Sequence, residues 1–249
     1  MGNQDKTNLE VTNYLLAYEH MKIIQRKDMF AFSLDTVLLA HFCSINKGVD
    51  MIVDYGTNNA AIPLILSTRT KKPIVGVEIQ EEAVDLAKRN VAINHLEDQI
   101  TIVHDDIKHF AYEHKPVKLI VCNPPFFKVG EKKNLNESEY LTIARHETKI
   151  TLEEIIQCAS HMLENSGRLA MVYRPDRLIE TIQLFQKYDI EPKRLRLIYP
   201  KPGRDCNTFL IEGMKKGNTG LKIEAPLFTH KEDNHYTDEV QKYFGEKDV

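Results

Sequence analysis

An asparagine, two prolines and a phenylalanine, Asn123-Pro124-Pro125-Phe126, close the short apolar run Lys118-Leu119-Ile120-Val121-Cys122. Two consecutive prolines fix two φ angles and remove two backbone donors, so the carbonyls around them are kept out of helices and ladders and stay free to accept. Asn123 adds a side-chain carbonyl, and Phe126 adds a flat apolar face on which a base can stack. Such a site suits a planar NH₂ group, with Asn123, Pro124 and Phe126 as candidate catalytic residues and Pro125 and Phe127 beside the substrate. The same tetrapeptide also reads as a proline-rich strand-to-loop turn, and its neighbours decide between the two.

A second set of residues recurs at the ends of predicted strands. Asp54-Tyr55-Gly56-Thr57-Asn58-Asn59-Ala60 follows one strand and opens a helix, Glu78 ends the next strand, and Asp105-Asp106 follows a third. In open α/β sheets ligands bind at those strand ends, and an acidic residue roughly 20 to 25 positions after the first loop is placed to reach ribose hydroxyls. Three carboxylate-bearing tips make a poor phosphate site and a good one for a ligand with hydroxyls, an amino group and a cation. S-adenosylmethionine fits that description. A dinucleotide fits less well, because its pyrophosphate would meet Asp54 and two glycines of the G-x-G-x-x-G pattern are missing.

These residues need a scaffold that brings several strand ends together. From about residue 50 the chain alternates β-branched runs with segments of helical period, the pattern of an α/β fold with a mainly parallel sheet. Strands are predicted at 51–55, 73–78, 100–103, 119–122 and 168–173, with helices at 60–69 and 81–94. Thr151-Leu152-Glu153-Glu154 reads as a capping box opening a helix that stops near Gly167, and Pro175 suits the first turn of another helix reaching residue 188. The runs 195–199 and 208–211, joined through Lys201-Pro202-Gly203, are predicted to form an antiparallel pair that finishes the sheet. Residues 14–25 read as a small hairpin or strand-like cover, equally a structural flap or a substrate-facing element. Ser33 caps a helix carrying Val37, Leu38, Leu39 and Phe42. The charged tail from Lys231 is expected to fray or to form one short helix.

Size and composition narrow the options. At 249 residues and 42% hydrophobic content the chain has material for a sizeable core. No apolar run reaches the roughly 20 residues that span a bilayer, and the polar start Met1-Gly2-Asn3-Gln4-Asp5-Lys6 lacks a signal-peptide pattern, so a cytoplasmic protein is expected. Cys43, Cys122, Cys158 and Cys206 are widely spaced and indicate neither a zinc site nor a disulfide framework. A formal charge of −3 means that any RNA contact must come from a local basic patch. The segment 193–222 is the candidate, with Lys193, Arg194, Arg196, Lys201, Arg204, Lys215, Lys216 and Lys222 against Asp205 and Glu212; Lys201 and Arg204 are its candidate substrate-binding residues. Lys128, Lys132 and Lys133 add to it. Arg145-His146-Glu147 lies in a polar loop that reads either as a solvated loop or as a lid, and His146 is not needed as a general base.

From residue 32 to 211 the chain resembles a class I S-adenosylmethionine-dependent methyltransferase of the small methyltransferase superfamily, and within it the bacterial tRNA1(Val) adenine-37 N6-methyltransferase family. The resemblance is carried by Phe32-Ser33-Leu34-Asp35-Thr36-Val37-Leu38-Leu39, the loop from Asp54, Val77-Glu78, Asp106, Asn123-Pro124-Pro125-Phe126-Phe127, Ala144-Arg145-His146-Glu147 and Gly167-Arg168. It implies a Rossmann-like, seven-stranded, mainly parallel sheet with helices on both faces and a terminal antiparallel pair, over residues 33–230, with 1–32 as a cover and 231–249 as a tail. It also implies a cofactor set of Asp54, Gly56, Thr57, Asn58, Glu78, Ile79, Asp106, Ile107 and Asn123: Asp54 and Gly56 at the methionine end, Glu78 at the ribose, Asp106 at the adenine amino group. The substrate implied is an RNA adenine, in tRNA first, with no metal and no membrane partner. Where that family shows a Gly-x-Gly pair this chain has Asn58-Asn59-Ala60, and Tyr55 stands at a leucine position. Asn tolerates a left-handed backbone best among non-glycines, and Ala60 keeps the helix start small. Methylation of guanine N2 in ribosomal RNA or of a protein glutamine uses a similar Asn-Pro-Pro-aromatic site, and a non-catalytic RNA-binding factor on the same scaffold is the reading of another class.

Overall fold

The computed structural model describes residues 9–16, 18–29, 32–124 and 150–245; Pro125, Phe126, Phe127, the lysines at 128, 132 and 133, and Arg145-His146-Glu147 lie outside the described residues. The chain opens with a hairpin, β1 (Glu10–Leu15) and β2 (Tyr18–Arg26), followed by α1 (Leu34–Phe42). The alternation then runs β3 (Ile52–Tyr55), α2 (Ala61–Arg69), β4 (Ile74–Glu78), α3 (Glu81–Ala92), β5 (Ile100–His104), α4 (Ile107–Glu113) and β6 (Val117–Cys122). After residue 150 come α5 (Leu152–Met162), β7 (Leu163–Tyr173), a 3-10 turn at Pro175–Arg177, α6 (Leu178–Lys187), β8 (Ile190–Tyr199), β9 (Thr208–Lys215), the short strands β10 (Lys222–Ile223) and β11 (Leu227–Phe228), and α7 (Asp238–Tyr243).

The main sheet has the order β10-β8-β9-β7-β6-β3-β4-β5, with β11 also on β8. Strands β3 to β7 are parallel, and β9 is antiparallel to both β7 and β8, so the seven long strands form the expected mainly parallel sheet with an antiparallel pair at its end. Successive residues point to opposite faces. Ile52, Leu119, Val121, Ala170 and Val172 join a core with α1, α2 and α3, while Val53, Tyr55, Ile120, Cys122, Leu169 and Met171 join a second core with α4, α5 and α6. Burial on both faces is why these strands read as continuous apolar runs.

The order reverses between β3 and β6: β4 and β5 lie on one side, β7 on the other. A crevice opens beyond the carboxyl ends of adjacent strands at such a switch point. Asp54 pairs in register with Val121 and Tyr55 with Cys122, so Asn123 emerges one residue beyond the level of Tyr55.

One local expectation needs correction, one helix was not read, and the tail takes one of its two expected forms. The helix opened by Thr151 ends at Met162 rather than near Gly167, because Leu163 is already extended and pairs with Val117. Gly167 serves inside β7 instead: a Cβ there would lie 2.9 Å from Glu164 O and 3.1 Å from Val117 O, a close backbone approach only glycine permits. Helix α4, absent from the sequence reading, begins at the Asp106 cap. The tail from Lys231, expected to fray or to form one short helix, forms one in its described part: in α7 Val240 is fully buried, Tyr243 stacks on His41 at 4.7 Å, and the Tyr18 hydroxyl donates to Tyr243 O at 3.3 Å, tying the hairpin to this helix. No helix among the described residues is long and apolar enough to cross a membrane.

Candidate functional site

The loop after β3 turns through three left-handed residues, Gly56 (φ +70°), Asn58 (φ +48°) and Ala60 (φ +63°), of which only the first is glycine. Its shape is held from outside. The N–H groups of Gly56 and Thr57 donate to Val77 O at 2.9 and 3.0 Å, and the Asn58 N–H donates to Glu78 Oε2 at 3.0 Å. The other Glu78 oxygen accepts from the Gln80 N–H at 2.9 Å. Burial pushes the Glu78 carboxyl up from its ordinary range, and the N–H groups of Gln80, Asn58 and Ile79 oppose that shift. Gly76 on β4 leaves room for the Thr57 side chain, whose atoms lie 2.7 to 2.9 Å from where a Cβ would stand.

Asp54 is wholly buried, and no hydrogen bond reaches either of its oxygens. Burial pushes its carboxyl up to about 8; the nearby Thr57 hydroxyl opposes this without closing a hydrogen bond, and the charge of Glu78 reinforces it. Among the described residues the buried side-chain polar atoms without a partner are both Asp54 oxygens, Thr57 Oγ1, Asn59 Nδ2 and Asn123 Oδ1, and all belong to the tips of β3 and β6 or the loop between β3 and α2. Orphaned buried polar atoms are uncommon and costly. Their confinement to the switch point marks a site shaped for a polar ligand, and a carboxylate, a hydroxyl and an amide suit a cationic, hydroxyl-bearing one.

The remaining acidic tips share that sheet edge, since Glu78 pairs in register with His104. Asp106 caps α4, its Oδ1 accepting from the Lys108 N–H at 2.8 Å, and Ile107 is the first residue of that helix. Ile79 O lies 3.0 Å from His104 Nε2. Asp105 is occupied locally: Oδ1 accepts from the Asp106 N–H and Oδ2 meets His109 Nδ1, each at 2.8 Å.

At the β6 tip, Asn123 Nδ2 donates to Thr36 Oγ1 at 3.3 Å, while Asn123 Oδ1 is buried without a partner and Pro124 is buried beside it. The amide is therefore anchored by its nitrogen and keeps its acceptor free. Thr36, itself 5% exposed, is a residue the sequence reading did not single out for this purpose; the one available signal was its place in the capped first turn of α1, where the Ser33 N–H reaches Thr36 Oγ1 at 3.4 Å. Thr36→Val, which keeps shape and removes the oxygen, is expected to reduce turnover about tenfold, the scale of one lost hydrogen bond. Thr36→Ser should restore most of it; equal turnover in all three proteins would exclude the anchor.

The basic segment is divided by its internal contacts. Lys193 donates to Asn218 O at 2.7 Å, Arg194 pairs with Glu224 at 2.7 Å, Arg196 with Glu239 at 2.7 Å, and Lys215 with Tyr188 O at 3.4 Å and Ser160 Oγ. Lys201 donates to Glu232 O at 3.0 Å, whereas Arg204, whose N–H meets Lys201 O at 3.2 Å, is exposed in the same turn. Exposed cations also remain at Lys216 and Lys222, so this segment is not one continuous cationic face.

Comparison with known proteins follows the same residues. Residues 22–191 match the family model described as Methyltransferase small domain. The chain is 27% identical over 229 residues to the tRNA1(Val) (adenine(37)-N6)-methyltransferase of Flavobacterium psychrophilum, covering 90% of this chain and 95% of that protein. It is 25% identical over 216 residues to the protein of the same name from Aliivibrio salmonicida, covering 84% and 87%. Among solved structures it superposes on a protein described as a predicted O-methyltransferase from Agrobacterium tumefaciens with a TM-score of 0.68 at 21% identity, over 85% of this chain and 95% of that one. The matched span takes in well over half of the chain and every strand tip described above: the chain belongs to the Methyltransferase small domain family.

Proposed function

We propose that this protein methylates the N6 amino group of an adenine in tRNA, with S-adenosyl-L-methionine as methyl donor. The observation that carries the reading is the free, buried acceptor of Asn123 beside the unpartnered Asp54 carboxylate at one switch point. The names of the relatives over nearly the whole chain support the adenine and the tRNA. When bound, the cofactor supplies a methyl group on a sulfonium. Asp54 and the Gly56-Thr57-Asn58 backbone hold its amino-acid end, Glu78 its ribose, and Asp106, Ile79 and Ile107 its base. Asn123 Oδ1 and the Pro124 carbonyl accept from the two N6 hydrogens, drawing the nitrogen lone pair out of the ring and orienting it for in-line attack. From the sequence, Phe126 is assigned to stacking on the base and Pro125 and Phe127 to the substrate side. The methylated nitrogen gives its extra proton to water, so no dedicated base is needed. A target in an anticodon loop suits this pocket because turning out an unpaired base costs less than opening a duplex. A tRNA substrate also supports a cytoplasmic location.

Incubating the pure protein with labelled cofactor and total RNA from cells lacking its gene tests the assignment. N6-methyladenine is expected; N2-methylguanine or no label would each overturn it. Lys201 and Arg204 are proposed as phosphate contacts flanking the site. Charge reversal at both should weaken RNA binding and reduce the slope of log affinity against log salt by about 1.5, the share of two phosphates. An unchanged slope excludes that turn from the interface.

A further inference from the structure

Asn90 on helix α3 and Asn94, in the turn two residues past its end, meet the hairpin edge as an extra strand would. Asn94 Oδ1 accepts from the Lys22 N–H at 2.8 Å and its Nδ2 donates to Lys22 O at 2.7 Å; Asn90 Oδ1 accepts from the Ile24 N–H at 2.6 Å and its Nδ2 donates to Ile24 O at 3.0 Å. The match is geometric, since four helical residues rise about 6 Å and two strand residues about 6.6 Å. Asn94 Nδ2 closes back on Asn90 O at 2.7 Å, whereas the third bond of Asn90 leaves this pair. Asn90 Nδ2 also donates to Asn59 O at 3.0 Å, and the side chain is wholly buried, so no water competes for either end.

We infer that Asn90 is a positioning residue that holds the loop after β3 in its ligand-binding shape and couples that shape to the N-terminal hairpin. Asn59 lies between Asn58 and Ala60, both left-handed without being glycine. Residues in such conformations persist only where the surroundings over-determine them. Here Glu78 holds the peptide N–H of Asn58 and Asn90 holds the carbonyl of Asn59, so the peptides flanking these residues are pinned from two different elements. The Asn90 amide that pins the loop also closes on Ile24, so whatever orders β2 favours the binding shape, and a ligand on the loop favours an ordered β2. The ligand named here rests on the cofactor proposed above; the pinning of the loop does not.

The test is a double-substitution cycle on the ligand-free protein. Ala60→Gly removes the same methyl group and adds the same chain freedom whether or not Asn90 is present, so the difference between its two effects reports the left-handed strain alone. Relative to its effect in Asn90→Ala, Ala60→Gly is expected to be more favourable in the otherwise intact chain by about 2–4 °C in Tm. Equal shifts overturn the pinning. Hydrogen exchange on the unaltered chain covers the case in which Asn90→Ala does not fold: saturating S-adenosylmethionine is expected to slow exchange of the Ile24 amide, and an Ile24 amide indifferent to bound cofactor overturns the coupling. Failure of the unaltered chain to bind cofactor in calorimetry would instead remove the cofactor reading and leave the Ala60→Gly cycle to decide the role of Asn90.

Discussion

Asn123→Ala is expected to lower turnover by about 10²–10³-fold, the range for removing one preorganised hydrogen-bond partner from a reacting centre, while cofactor affinity changes by less than about threefold. The asymmetry follows from the geometry. Asn123 Oδ1 is buried with nothing to accept from, and its amide is anchored through Nδ2 to Thr36, so the acceptor is in place before substrate arrives. Alanine removes an interaction that gains importance as the amino group becomes pyramidal, and leaves untouched the carboxylates proposed to hold the cofactor. Single-turnover transfer of label, set beside calorimetric cofactor binding, separates the two quantities. Turnover within tenfold of the unaltered protein would take Asn123 out of the mechanism and leave Pro124 as the surviving candidate at this tip.

The second large effect belongs to Asp54, and stability and binding are expected to move in opposite directions. An aspartate in an unfolded chain titrates near 3.9, whereas burial raises Asp54 to about 8 in the fold. Between those values the folded chain holds a proton that the unfolded chain has released. The ligand-free protein therefore loses stability as pH rises from about 4 to about 8, and the contribution levels off above 8. Asp54→Asn should abolish this dependence and stabilise the ligand-free protein near pH 7 by about 2–4 kcal/mol, measured by denaturant unfolding across pH. The same substitution removes the negative partner of a cationic ligand, and cofactor affinity is expected to fall about 100-fold. In the unaltered protein a ligand that needs ionised Asp54 must displace its proton. Affinity should then rise about tenfold per pH unit up to about 8 and flatten beyond it, with close to one proton released at pH 7. Calorimetry in two buffers of different ionisation enthalpy counts that proton. Unaltered affinity in Asp54→Asn would show that the carboxylate does not face the cofactor.

How much of this was legible beforehand depended on the distance over which each feature is decided. The capping box at Thr151 and Glu154 is present as read, with the Thr151 N–H on Glu154 Oε2 at 2.7 Å and the Glu154 N–H on Thr151 Oγ1 at 3.2 Å, because both partners sit within one turn. The acidic strand ends and the Asn123-Pro124 tip were legible for a similar reason: short continuous β-branched runs and proline's fixed φ act over a few residues, and a parallel sheet places all such ends on one edge. A left-handed backbone was legible from asparagine's tolerance of it, whereas Ala60 was read only as keeping the helix start small; its own left-handed conformation, and what sustains the turn, were not.

Sequence alone thus determined the alternating α/β plan, the identity of the strand-tip residues and the chemistry they favour. Only the tertiary structure decided which of them are left unpartnered, that Thr36 anchors an amide 87 positions away, that Asn90 joins Ile24 to Asn59, and that most cations of the segment 193–222 are engaged within the chain. It also decided that α5 stops at Met162, because Leu163 is drawn into the ladder with Val117. The physical reason is common to all of these: hydrogen bonding, burial and carboxyl ionisation are set by neighbours that strand order brings together, and strand order is not written in any local run of residues.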